Sequence, residues 1–315
     1  MFIGIDIGGS RIKGILTDGS GKELSFKDID TKKTAKEIDD DICKLVETLS
    51  TTASVSKIDI KAIGIGAPGP FDKEKGMIVK APNIPAFSNH PIVKNIEYLT
   101  GIKVFLENDA TVALIGAWWK ENGNKFRNWV MVTLGTGIGG GLMIDNKIYT
   151  GQSGNSMEVG HMSIDLNGKE CSCGNRGCWE RYASGPAMVE LAQTYLKKQK
   201  GSSLVARSKD AELTPLMIYE EAIKKDETAV AIMEEYSTYV GIGIVNIINI
   251  FNPEAIFLGG GVSQAFRIFL PVIKKMIKER ACPGFKDNVQ LYAVKEPDKL
   301  PAFGAAKIAI NSMTT

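Results

Sequence analysis

Apolar and polar positions divide this chain into strands, glycine turns and helices. Residues 2–7 form an apolar run broken only by Asp6, and residues 12–17 form another. Gly8, Gly9 and Ser10 lie between them, so the pattern predicts a strand, a tight turn and a second strand. Residues 22–28 read as a third strand. Apolar residues at helical spacing (Ile38, Ile42, Leu45, Val46, Leu49) predict a helix over 34–49. A buried strand over 58–65 stops in Gly66-Ala67-Pro68-Gly69-Pro70, the kind of loop in which α/β folds place ligands. Ala81 to Pro85 form a second such loop, with Asn83 among prolines. A short helix over 91–99, a strand over 104–106 ending in Glu107-Asn108-Asp109, and a helix over 110–120 follow.

A strand over 129–134 then runs into Gly135-Thr136-Gly137-Ile138-Gly139-Gly140-Gly141 and a second strand over 142–145. This repeats the layout of residues 2–17. Helices are predicted over 184–196, 214–224 and 227–251, the last apolar all round and so buried. A strand over 255–258 ends in Gly259-Gly260-Gly261, and a helix over 264–280, a strand over 289–294 and a helix over 300–310 complete the chain. Residues 197–210 are polar and predict a surface loop. Glycine turns let backbone amides approach an anion closely, and Ser10 and Thr136 each add a hydroxyl. The first turn alone is equally a plain hairpin. Its repetition favours two similar halves facing each other, each offering one turn to the phosphate chain of ATP. The first turn is not a P-loop, and it is not followed by the helix that a dinucleotide fingerprint requires.

A chain of 315 residues can bury a large core, and two domains are expected. A net charge of +2 without a basic run gives no footprint for nucleic acid. The N-terminus enters a strand without a basic segment and apolar core, so no secretory signal is expected. The most apolar long stretch, 239–258, carries Asn246, Asn249, Asn252, Pro253 and Glu254, which argues against a membrane span. Five cysteines, an odd number in a reduced-looking setting, point to the cytoplasm.

The most informative stretch is 158–180, EVGHMSIDLNGKECSCGNRGCWE. His161, Cys171, Cys173 and Cys178 fall within it at the spacing H-x9-C-x-C-x4-C. Imidazole and thiolate are the ligands that tetrahedral zinc prefers, and one His with three Cys fills the shell, so the metal would be structural. The alternatives are a disulfide or a loop with chance cysteines. Glu158 and Glu180 bracket the cluster and are not needed to complete it. Elsewhere, Asn108 and Asp109 sit where a strand ends and a helix begins, facing the crevice of such a sheet. Asp109 is there a candidate catalytic carboxylate, an N-cap, or both.

The glycine hairpin with Asp6, the Glu-Asn-Asp at 107–109, the GTGIGGG turn, the EVGH element, the C-x-C-G-x-x-G-C-x-E cluster and the GGG turn occur in one order. That order resembles the ROK family of sugar kinases and repressors, from residue 3 to residue 310. The resemblance implies an α/β protein of the actin-like ATPase (ribonuclease H-like) fold, two α/β domains with ATP and sugar in the cleft between them. The small domain would hold residues 1–109 and the C-terminal helix 300–315. The larger would hold residues 110–299, with the zinc motif and a homodimer surface. It implies Asp109 as general base, and Asn108, Glu158, His161 and Glu180 as partners of the other sugar hydroxyls, His161 also binding zinc. Gly66 and Asn83 would line the sugar pocket. Asp6 would sit near Mg2+ and the phosphates. Gly8, Gly9, Ser10, Arg11, Gly135, Thr136 and Gly137 would grip the phosphates, and Gly260 and Gly261 would pack near the adenosine.

Two departures stand out. The first turn reads Gly-Gly-Ser-Arg where Gly-Gly-Thr-Lys is usual. Arg11 keeps the charge but not the geometry, and the Gly-Gly-Ser form also resembles polyphosphate-dependent glucokinases. Trp179 stands where leucine is more usual. The resemblance implies a cytoplasmic ATP-dependent hexose 6-kinase, with glucose as the first candidate acceptor. N-acetylmannosamine or N-acetylglucosamine is the alternative acceptor. A non-enzymatic sugar sensor ranks lower. A repressor is not expected, because members of that type carry a helix-turn-helix ahead of the kinase-like part and here the first hairpin begins at residue 2.

Overall fold

The computed structural model describes residues 1–72, 74–81, 84–152, 156–197, 201–285 and 288–314. The chain runs β1 Phe2–Ile7, β2 Arg11–Thr17, β3 Glu23–Asp30, α1 Ala35–Thr52, β4 Ala62–Ala67, the short pair β5 Phe71–Asp72 and β6 Met77–Ile78, α2 Ile92–Thr100, β7 Lys103–Asn108 and α3 Asp109–Lys120. It continues through β8 Trp129–Leu134, β9 Ile138–Ile144, β10 Lys147–Ile148, α4 Glu180–Ala183, α5 Gly185–Leu196, α6 Ser203–Asp210, α7 Pro215–Ile223, α8 Glu227–Phe251, β11 Ala255–Gly259, α9 Phe266–Arg280, β12 Gln290–Ala293 and α10 Leu300–Thr314. Two units form, one of Met1–Lys125, Gly141–Ser156 and Lys295–Thr315, the other of Phe126–Gly140 and Met157–Val294.

The first unit is built on a five-stranded sheet in the order β3-β2-β1-β4-β7. β1 is antiparallel to β2 and parallel to β4, which is parallel to β7. Ile3, Ile5, Ile7, Ile12 and Leu16 pack with Ile38, Ile42, Leu45 and Leu49 of α1 in one buried cluster. Ile15 alternates to the other side and packs with Ala302, Phe303 and Ala306 of α10. Each such side chain, fully buried, contributes about 1.5–3 kcal/mol. Thr34 starts α1 with a capping box, its hydroxyl accepting from Glu37 N–H while the Glu37 carboxylate reaches back.

α3 belongs to this unit, so the division falls later than the expected residue 109. The reason is contact between backbones. A β-carbon at Gly304 of α10 would lie 1.7 Å from the Val112 carbonyl oxygen, and one at Gly116 would lie 2.2 Å from that of Leu300. Two helices seated backbone to backbone belong to one packed unit.

The sheet containing β8 has the order β10-β9-β8-β11-β12, with β8, β11 and β12 parallel. It repeats the strand order of the first sheet, as the duplicated glycine hairpins predicted. β9 starts at Ile138, inside the glycine run, so the turn is Gly135-Thr136-Gly137 rather than the whole of 135–141. The polar stretch 197–210 is not all loop: Ser203–Asp210 form α6, capped by Ser202, whose hydroxyl accepts from Val205 N–H. Its reason is tertiary. Glu221 of α7 is 3% exposed and binds Ser203, Arg207 and Lys224. The Ser203 hydroxyl and Lys224 hold its carboxyl down at about 2. The helix expected over 264–280 opens as a 3-10 turn, Gly261–Ala265, before α9. No helix among the described residues is long and apolar enough to cross a membrane.

Candidate functional site

In the first unit the parallel register sets Asp6 beside Gly66 and Gly66 beside Glu107, with Ala67 beside Asn108. The carboxyl ends of β1, β4 and β7 therefore finish together, and α3 begins immediately after β7. Asn108, not Asp109, is the N-cap, its side-chain oxygen accepting from Ala110 N–H (2.9 Å) and Thr111 N–H (3.2 Å). That leaves the Asn108 amide as a donor toward a ligand. Asp109 Oδ1 accepts from Ala110 N–H at 2.7 Å, which fixes the carboxylate in the first turn. Gly66 is backed by Val112 of α3, whose Cγ2 would lie 2.4 Å from a β-carbon there.

Asp6 is partly buried at this strand end. Burial, and then the charge of Asp109, push its carboxyl up to about 7, while Lys13 opposes the shift. Lys13 is the register partner of Asp6, and its Nζ lies 2.6 Å from Asp298. Sequence reading passed over both residues. Period-2 alternation on β2 carries a signal for Lys13, and nothing in the sequence pointed to Asp298. A carboxyl group held protonated by burial and by a neighbouring carboxylate belongs to a donor set that a hard dication such as Mg2+ neutralises. The Gly8-to-Arg11 hairpin is closed by Gly8 N–H donating to Arg11 O (2.9 Å) and tied down by Thr31, whose hydroxyl donates to Gly8 O. Gly9 and Ser10 are exposed at its tip. Arg11 itself is held by Asp28 and Asp30 at 2.5 and 2.6 Å, so an anion would have to compete with two carboxylates for it.

In the second unit the start of β9 gathers the residues of the zinc stretch. Glu180 Oε2 accepts from Ile138 N–H at 2.8 Å. A β-carbon at Gly160 would lie 2.2 Å from Ile138 O, so the turn carrying Glu158 and His161 rests on the same residue. Met157 adopts a left-handed φ of +62°, a cost that a Met residue bears only where surrounding contacts impose it. Glu158 is exposed, and His161 and Glu180 are partly buried. Gly260 approaches the end of β8, a β-carbon there falling 2.4 Å from Leu134 O, while Gly261 faces open space. Asn83 lies outside the described residues.

The ligating atoms of His161, Cys171, Cys173 and Cys178 all lie within 4.8 Å of one another. His161 Nδ1 is 3.7 Å from Cys171 Sγ, and Cys173 Sγ is 3.7 Å from Cys178 Sγ. Zn–S bonds of about 2.3 Å in a tetrahedron place two sulfurs ~3.8 Å apart, so the set fits zinc. Burial, and then the Cys173 thiol, push Cys178 up to about 12, whereas the Asn175 backbone N–H lowers Cys173. A cation would deprotonate the whole set. With Nδ1 facing the sulfurs, His161 has Nε2 left to offer elsewhere.

The duplicated sheet order, with a glycine hairpin in each sheet and a carboxylate where β7 meets α3, defines the actin-like ATPase fold. A model of the ROK family matches residues 2–312, and the chain belongs to that family. It is 32% identical over 308 residues to a glucokinase of Thermotoga maritima, covering 97% of this chain and 96% of that protein. It is 33% identical over 309 residues to the xylose repressor of Bacillus spizizenii, covering 98% of this chain and 76% of that protein. The solved structure of a ROK family glucokinase from Streptomyces griseus, in complex with glucose and AMPPNP, is similar with a TM-score of 0.89 and 32% identity, covering 98% of this chain and 99% of that one.

Proposed function

We propose that this chain is an ATP-dependent hexose kinase that phosphorylates the 6-hydroxyl of a sugar, glucose first among acceptors. The observation that carries it is Asp109, fixed at the joined carboxyl ends of β1, β4 and β7 beside Asp6, in a chain so similar to a kinase solved with glucose and AMPPNP. The sugar oxygen attacks the γ-phosphorus, and the bond from that phosphorus to the β,γ-bridging oxygen breaks. ADP leaves with the electron pair, and the hydroxyl proton passes to Asp109. Mg2+ bound near Asp6 would neutralise charge on the phosphates. Backbone amides of the turns at 8–10 and 135–137 would grip the phosphates, with Gly260 and Gly261 near the adenosine. Asn108, Glu158, His161 and Glu180 would orient the sugar, as would Gly66. Zinc on His161 would fix its tautomer and ring, leaving Nε2 for a sugar hydroxyl.

The test is a coupled ADP-release assay with Mg-ATP against glucose, mannose, fructose, N-acetylglucosamine and N-acetylmannosamine, with Asp109→Asn alongside. Turnover on glucose that the variant loses supports the proposal. Turnover on an N-acetylhexosamine alone moves the acceptor. Activity with polyphosphate but not ATP moves the donor, the outcome that Gly-Gly-Ser would accommodate. Sugar binding without turnover on any donor assigns the chain to sensing rather than catalysis.

A further inference from the structure

Part of the Glu180 carboxylate is engaged by the second glycine turn. Its Oε2 accepts from Ile138 N–H at 2.8 Å. A β-carbon at Gly137 would fall 2.4 Å from this oxygen and 4.0 Å from Oε1, so the carboxylate seats one oxygen against the turn and holds the other away. The far side of the turn is held by the same stretch of chain. Gly185 N–H donates to Gly135 O at 2.8 Å, and Gly135 N–H donates to Gly137 O at 2.9 Å. Between Glu180 and Gly185 lies the single turn of α4, which begins two residues after Cys178. A backbone amide given to a carboxylate makes a bond about twice as strong as one between neutral groups. A side chain at residue 137 would push this oxygen away from Ile138 N–H.

We propose that Glu180 is a positioning residue for the Gly135–Gly137 turn, one carboxylate oxygen holding the turn and the other offered to the sugar, so that a single side chain couples acceptor binding to the grip on the donor phosphates. The proposal rests on the kinase reading for what the turn and Glu180 bind. A sugar hydroxyl bonded to Oε1 fixes the carboxylate torsion and, with it, the Ile138 amide. The coupling is reciprocal: glucose tightens Mg-AMPPNP by the same factor by which Mg-AMPPNP tightens glucose.

Two measurements on the full chain test it, with Glu180→Ala and Glu180→Gln compared to wild type. Amide hydrogen exchange at Ile138 needs no ligand. It should be about tenfold faster in Glu180→Ala, while Glu180→Gln, whose amide oxygen still accepts, keeps the protection. Calorimetric binding of Mg-AMPPNP without sugar should weaken about tenfold in Glu180→Ala and little in Glu180→Gln. Saturating glucose should tighten it in wild type but not in Glu180→Ala. Equal exchange in all three proteins, or equal Mg-AMPPNP affinity in a wild type that phosphorylates sugar and in Glu180→Ala, overturns the proposal and leaves the kinase reading standing. A wild type that neither binds Mg-AMPPNP nor phosphorylates sugar overturns both.

Discussion

The indole of Trp179 lies directly on the backbone of Gly243 in α8. A β-carbon at residue 243 would fall 2.0 Å from the ring, and the indole Nε1–H donates to Tyr239 O at 2.7 Å. Trp179 is 0% exposed, and it links Cys178 to Glu180. The residue that departs from the family's usual leucine is therefore a wedge between the cysteine loop and α8, seated by the absence of a side chain at 243. Gly243→Ala should destabilise the protein by about 2–3 kcal/mol through overpacking. In a Trp179→Leu background the same change should be neutral or stabilising by up to ~1 kcal/mol, because alanine is then the better helix former. Thermal unfolding of the four proteins in a double-mutant cycle checks it. Additive effects would mean the two residues are not packed as described.

Cys173→Ser should lose zinc and sugar affinity together. The cysteine is exposed, so the substitution removes a ligand without opening a core cavity. Metal content by mass spectrometry and glucose affinity by calorimetry, on one preparation, give the readout. Full activity in a verified zinc-free protein would separate the metal from the sugar loop.

Asp109→Asn should lower kcat by about a hundred- to ten-thousandfold, the range for a general base, with the sugar KM little changed. The amide oxygen still accepts from Ala110 N–H, so the start of α3 should survive, and unchanged thermal stability would show it. An active variant would remove Asp109 as the base.

Asp6 imposes a pH dependence on the ligand-free fold. Its carboxyl titrates at about 7 in the folded chain, against ~3.9 in an unfolded one. Between these values the folded state holds the extra proton, so stability is largest below pH 4 as far as this group is concerned and falls as pH rises through 7. A shift of this size corresponds to at most about 4 kcal/mol, and the partial exposure of Asp6 keeps its worth below that. Asp6→Asn should be more stable than wild type at pH 8 and about equal at pH 4, in urea titrations at both. A divalent cation with nucleotide should narrow the difference in the wild type.

Arg11 sits in two ion pairs whose side chains are 43% to 75% exposed, and solvent screening keeps their worth small. Arg11→Ala should change stability by less than about 1 kcal/mol. A raised KM for ATP would show that the guanidinium leaves Asp28 and Asp30 for phosphate, and an unchanged one would confine it to those carboxylates.

Strands, turns and the His/Cys3 cluster were legible because each has a local cause. Period-2 apolar runs such as 2–7 and 12–17 must alternate across a sheet wherever they pair, and paired glycine hairpins imply two sheets of like order. His161 and the three cysteines lie close in the chain, so their chemistry is visible without a fold. Local cause also explains the failures. α6 carries no apolar period, and its order comes from Glu221, a buried carboxylate on another helix. The start of β9 within a glycine run depends on what packs around Ile138, and α3 joins the first unit because Gly116 and Gly304 let two helix backbones touch.

By itself, then, the sequence determined most of the elements, the repeated hairpin, the His/Cys3 set and the order of motifs that marks the family, since all of these follow from near neighbours and side-chain type. Only the tertiary structure decided that Asn108 caps α3 so that Asp109 is held at the strand ends, that Asp6 titrates against Asp109 and Lys13, and that Glu180 reaches back 42 residues to Ile138. Those are relations across sequence distance, set by register and by which backbone groups need partners, and no window along the chain contains them.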